Sequence, residues 1–178
     1  MNWIAEVIGY AGMACLVLSF QCKKTRALFL CQTLSGLLFV VHYGMNGDYT
    51  GMAMDGVCFL RALLMYSGKP LLTGKAAMAV LLAVILALGA VTWDGIFSIF
   101  PVIALTVSTV FLYRADGKLI RRAQFLCTSP SWMVYNIYVM TIPGILCEAL
   151  DMGSVVVYWL RERREKRENG GNQYERED

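Results

Sequence analysis

The chain has 178 residues, 57% of them hydrophobic and 16% charged, with a formal net charge of +3. A soluble domain is typically about 45–50% apolar and about 25% charged. This composition therefore excludes an ordinary water-soluble domain, and the small net charge gives no reason to expect a nucleic-acid partner. The charge is also unevenly placed. The stretch from Arg161 to Asp178 alone holds six of the 16 basic and six of the 13 acidic residues.

Crossing about 30 Å of hydrocarbon takes about 20 mostly apolar residues. Runs of that kind are predicted at about 3–20, 27–44, 49–66, 76–92, 95–113, 119–140 and 142–160. The first begins at Trp3 with no basic stretch before it, so it is expected as a retained span and not a cleaved signal peptide. The fourth is the most apolar. The third and sixth are the most polar and are expected to face protein. The fold class expected is all-α, a polytopic membrane protein of about seven transmembrane helices embedded in a lipid bilayer. The six cysteines mostly fall in apolar runs with no CxxC pair, and are expected as buried free thiols. No metal and no cofactor is expected, and no catalytic motif marks the chain as an enzyme.

The loops alternate in charge. Lys23, Lys24 and Arg26 follow the first run, Asp48 the second, Lys69 and Lys75 the third, and Asp94 the fourth. Arg114, Lys118, Arg121 and Arg122 follow the fifth, the turn near Thr141 is uncharged, and Arg161, Arg163 and Arg164 follow the last. Basic loops stay in the cytoplasm, so the N-terminus is expected outside and the C-terminus inside. Arg61 is the one basic residue within a span. It lies about 8 Å from that span's cytoplasmic end, counted at about 1.5 Å per residue, and is expected to snorkel outward.

A shift of the chain against itself by 96 positions lays Arg26-Ala27-Leu28-Phe29-Leu30-Cys31 on Arg122-Ala123-Gln124-Phe125-Leu126-Cys127. The same shift pairs Ser35 with Ser131, Ala53 with Ala149 and Asp55 with Asp151. The expected plan is a 3+1+3 parallel repeat. Residues 1–68 form the first half, 69–93 a linking helix, 94–161 the second half, and 162–178 a disordered cytoplasmic tail.

Gly9-Tyr10-Ala11-Gly12, Ser19-Phe20-Gln21-Cys22-Lys23-Lys24, Leu34-Ser35-Gly36-Leu37-Leu38-Phe39 and His42-Tyr43-Gly44 together resemble the YgjV-like family of bacterial inner-membrane proteins. The resemblance covers nearly the whole chain outside the polar tail and implies the inner membrane. A more distant likeness is to the PQ-loop and SWEET transporter superfamily. Ser19-Phe20-Gln21 with Lys23 resembles its Pro-Gln turn, although the proline is missing. Trp132-Met133-Val134-Tyr135-Asn136 resembles its Trp-x-x-Tyr pattern. That likeness implies hinge prolines in both halves, and here only Pro101 and Pro130 stand in such places.

Carboxylates within spans are costly, on the order of +2.5 kcal/mol or more for Asp at a helix centre. Asp55, Glu148 and Asp151 are such groups, and they are expected to point inward. Glu148 and Asp151 share a helix face at i,i+3 spacing, a pairing suited to hold a proton or a cation. Glu6 lies near the outer edge and is expected to be solvated. Trp132, Tyr135 and Asn136 are candidates to line a pocket for a neutral polar solute, and equally for packing. His42 is expected either at the interface or facing the pocket.

These residues point to a transporter or facilitator of a small polar solute, with proton linkage as one form it can take. A non-transporting membrane sensor or scaffold is the alternative. Self-association of the chain is left open. The charge alternation makes a direct prediction. A periplasm-active reporter fused after Asp48 or Asp94 should be active, and one fused after Lys75 or Gly170 silent; activity at Gly170 would overturn the seven-span topology.

Overall fold

The computed structural model describes residues 2–22, 24–114 and 116–174. Helices α1 (Trp3–Gln21), α2 (Thr25–Asn46), α3 (Tyr49–Ser67) and α4 (Lys75–Val91) follow one another along the chain. A single 3-10 turn, Ile96–Ser98, leads into α5 (Ile99–Arg114), followed by α6 (Gly117–Ala123), α7 (Ser129–Tyr138) and α8 (Ile142–Tyr174). No strand occurs among the described residues.

Short polar side chains start the helices. Asn2 Oδ1 accepts from the Ile4 N–H at 3.2 Å, Asp48 Oδ1 from the Gly51 N–H at 2.9 Å, and Asp116 Oδ1 from the Lys118 N–H at 2.9 Å. Each satisfies a donor that the first helical turn leaves unpaired. Gly47 ends α2 at φ 78°, a left-handed conformation that glycine adopts without a Cβ clash.

Two expectations change. The sixth expected run, 119–140, is not one helix. Between α6 and α7 the chain widens into a π segment, Gln124–Thr128. Pro130 follows at the start of α7. Its missing N–H and its ring both disturb the helical bonding to residues one turn earlier, and a π turn re-registers the chain around that defect. The expected disordered tail also differs. α8 continues without a break through Tyr174, so residues 162–174 are helical. Arg, Glu and Lys are strong helix formers, and they extend a helix already nucleated by the apolar stretch before them. Residues 175–178 lie outside the described residues.

Three helices are long and apolar enough to cross a membrane: Thr25–Asn46, Ile96–Arg114 and Ile142–Arg164. Trp3–Ser19 and Lys75–Val91 are shorter apolar helices. α3 is as long as α1 but carries Asp55 and Arg61, which lowers its apolarity.

α2 lies between α1 and α3, and α7 packs on both α5 and α8. α1 packs against α8, α3 against α5, and α4 against α3 and α5. The distribution of polarity is the reverse of a soluble bundle. Leu86, Val80, Ile137 and Leu150 lie exposed on the outside. Ser35, Thr50, Thr109, Ser129, Asn136 and Asp151 are buried. An apolar exterior around buried polar groups is what a lipid solvent requires.

His42 is fully buried, neither at the interface nor facing a pocket. Its Nδ1 lies 2.7 Å from the Ala5 carbonyl and its Nε2 lies 2.6 Å from Thr141 Oγ1. A carbonyl only accepts, so Nδ1 donates to Ala5. The ring thereby ties α1 and α2 to the α7–α8 turn. Gly9 makes room for it, because a Cβ there would lie 2.8 Å from His42 Nδ1. Glu6, expected in solvent, is also buried, because α1 packs against both α2 and α8. His42→Ala should destabilise the fold by about 1–3 kcal/mol, the usual consequence of stranding buried polar partners. A lowered thermal midpoint in detergent checks this; an unchanged midpoint would show that these bonds carry no stability.

Candidate functional site

Polar and apolar side chains of the interior together line a cavity of about 480 Å³. Binding pockets for small molecules typically run about 300–1,000 Å³. α3 contributes Asp55, Cys58 and Arg61, and α8 contributes Glu148, Asp151 and Ser154. Gln124 and Thr128 of the π segment and Trp132 of α7 also line it. At one end it reaches Gly117 and Arg121 of α6, and at the other Tyr43 and Gly144.

The carboxylates that line it stand in different surroundings. Asp151 Oδ2 accepts hydrogen bonds from the Gln124 side-chain amide and from Ser129 Oγ, the latter at 3.2 Å. Gln124 also donates to Ser129 Oγ at 3.0 Å. The π segment is what turns Gln124 toward α8, since the widened turn changes the direction its side chain leaves the helix. Glu148 has a buried Oε2 with no hydrogen-bond partner. Arg61 does not reach outward to the interface. Its guanidinium donates to Ser108 Oγ at 2.8 Å and to Thr109 Oγ1 at 2.9 Å, which binds α3 to α5. The two hydroxyls satisfy donors that snorkelling would have taken to the interface.

A second cavity of about 200 Å³ lies among the turns at the other end of the bundle, lined by Asn46, Asp48, Asp94, Ser98, Tyr135 and Thr141 among others. Tyr43 lines both cavities. Its hydroxyl donates to Asn136 Oδ1 at 2.6 Å. Its ring stacks between Phe39 and Trp132, with centroids 6.1 Å and 6.5 Å away. Asn136 is packed under Gly144, where a Cβ would lie 2.7 Å from its Cγ. Tyr135 donates to Asp48 Oδ1 and accepts from the Gly51 N–H at 3.2 Å. Tyr43, held by Asn136, thus touches both cavities, and Tyr135, held by Asp48 and Gly51, lines the smaller one.

The residues singled out from the sequence therefore divide. Asp55, Glu148, Asp151 and Trp132 meet at the larger cavity. Tyr135 faces the smaller one. Asn136 is 2% exposed and held by Tyr43, and His42 is 0% exposed and held by Ala5 and Thr141. Tyr43, Arg61, Gln124 and Asp48 were not singled out as site residues. The 96-residue register carried a signal for Gln124, which it pairs with Leu28, since both line the cavity.

Apolar helices with polar groups buried between them define a helical membrane protein. The chain belongs to the Imp-YgjV family of bacterial inner membrane proteins, whose family model matches residues 3–166. No curated protein and no solved structure matches it.

Asp48 sits in the turn before α3. Burial pushes its carboxyl above the ordinary value, against the opposing pull of the Tyr135 and Gly51 hydrogen bonds. A carboxyl raised in the folded state contributes stability that is present at low pH and lost as pH rises through the raised value. The thermal midpoint of the wild-type protein in detergent should therefore fall more than that of Asp48→Asn across that window. Parallel curves would show that Asp48 does not titrate as the fold requires.

Proposed function

We propose that the protein is a multi-pass carrier or facilitator of a small polar solute in the bacterial inner membrane, and not an enzyme. The observation that carries this reading is a pair of cavities that meet at Tyr43, one running from there to α6 and the other among the turns beyond it. Two chambers that meet at one hydrogen-bonded side chain are the geometry alternating access needs. A packed scaffold has no use for it.

The repeat plan supports the same reading. Under the 96-residue shift, α1 corresponds to α5 and α3 to α8. The packing of α1 on α8 and of α3 on α5 is then one contact made twice, as a pseudo-two-fold arrangement of two three-helix halves requires. α4 is left over as the linker. Matched positions also face the cavity together: Leu16 with Leu112, Gln32 with Thr128, Gly36 with Trp132, Asp55 with Asp151 and Cys58 with Ser154. Transporters built from parallel repeats place their solute site at such an interface, near the midplane. With the basic loops inside, the larger cavity opens at α6 toward the cytoplasm. The smaller one, among Asp48, Asp94 and Thr141, lies on the outer side.

In this mechanism Tyr43, Tyr135 and Asn136 form the outer gate. It opens when Tyr43 leaves Asn136 and Tyr135 leaves Asp48, as the two halves rock about the cavity. Asp151, held by Gln124 and Ser129, fixes α8 against the π segment, and that segment with Pro130 provides the bend. Tyr43→Ala removes the ring shared by both cavities. In proteoliposomes, with and without a pH gradient, it should raise the passive flux of glycerol and other small polar solutes severalfold over wild type. Wild-type flux in Tyr43→Ala, together with no flux of any solute in the wild type, would favour the sensor or scaffold reading instead.

A further inference from the structure

The acids of the larger cavity are only partly answered by the protein's own side chains. Asp151 has its two donors. Glu148 Oε2 is buried and has none. Asp55 lines the same cavity from α3, and none of the hydrogen bonds described above reaches it. A carboxylate held away from water without a partner is strongly disfavoured. Of the two lining cations, Arg61 attracts Asp55 only through space, and no ion pair joins either cation to these acids among the described residues. Arg61 is engaged by Ser108 and Thr109, and it lies six residues beyond Asp55, about 9 Å further along α3 at about 1.5 Å per residue. Arg121 stands over the Tyr158 ring at 3.7 Å and donates to the Gly117 carbonyl at 3.2 Å.

Aromatic side chains line the same cavity. Trp132 lines the cavity beside Tyr43, their rings stacked at 24°. Carboxylates facing an indole ring suit an organic ammonium group, which pairs with the acids and lies against the ring's negative face. A bare metal ion fits less well, since among the described residues no group of three His, Cys, Asp or Glu side chains is gathered to hold one. We propose that the larger cavity binds a small organic cation, a protonated or quaternary amine. Glu148 and Asp55 are its counter-ions and Trp132 its aromatic face. This rests on reading the cavity as the solute site.

The test is equilibrium binding of radiolabelled choline and radiolabelled ethanolamine to the purified full chain in detergent. Competitors are agmatine, glucose, calcium, and dimethylbutanol as the uncharged isostere of choline. Saturable binding is expected, displaced by agmatine but not by dimethylbutanol, glucose or calcium. Glu148→Gln and Asp55→Asn keep the side-chain shape and should each weaken binding about tenfold or more, as loss of one partner of a desolvated charge pair does. Trp132→Leu should weaken a quaternary amine more than it weakens ethanolamine. Should Glu148→Gln fail to fold, judged by monodispersity and circular dichroism, Asp55→Asn carries the comparison. The inference is overturned if neither cation binds, if dimethylbutanol or glucose competes equally, if calcium alone displaces, or if a folded carboxylate variant binds as wild type does. Flux of a neutral solute without cation binding would leave the carrier reading standing and remove the cation. Cation binding without flux of any solute would do the reverse.

Discussion

A carboxylate inside an apolar bundle must meet water, a donor or a cation, and the interior of this protein is arranged around that requirement. Asp55 on α3 and Glu148 and Asp151 on α8 all line one chamber. Asp151 is satisfied by Gln124 and Ser129, and those donors are in place because the chain is re-registered by a π segment ahead of Pro130. A regular helix through residues 119–140 would have aimed Gln124 elsewhere. The break in the helix and the placement of the acid are thus parts of one solution.

The same logic explains the far end of the chamber. Tyrosine and asparagine are amphipathic or polar groups that need partners when buried. Tyr43 meets Asn136, and Tyr135 meets Asp48. These bonds join α2 to α7 and α7 to the start of α3, so they also hold the helices together. Bonds of this kind contribute about 0.5–1.5 kcal/mol each. His42, by contrast, joins α1 to the α7–α8 turn from a fully enclosed position, where it has no chamber to face.

Most of the helices, the alternation of basic and non-basic loops, and the inward direction of Asp55, Glu148 and Asp151 were legible in the sequence, while the break within 119–140 was not. Each legible feature follows from a local property: an apolar run of fixed length, a charge count per loop, or the cost of a polar group in hydrocarbon. The family was legible too, from short motifs spread over most of the chain. His42, Asn136 and Arg61 were not legible in the same way. Each was a polar residue on an apolar helix, and its role depended on which residue stood opposite.

The sequence by itself determined that this is an all-helical inner-membrane protein and which of its acids are too costly to face lipid. Only the tertiary structure decided that Asp151 is held by Gln124 and Ser129 while Glu148 keeps a buried Oε2 without a partner, that Arg61 binds α5, and that Tyr43 lines two cavities. The physical reason is range. Hydropathy and helical period are properties of neighbouring residues. The hydrogen bonds that sort these polar groups join positions such as 43 and 136, or 42 and 141, and exist only once the helices have packed.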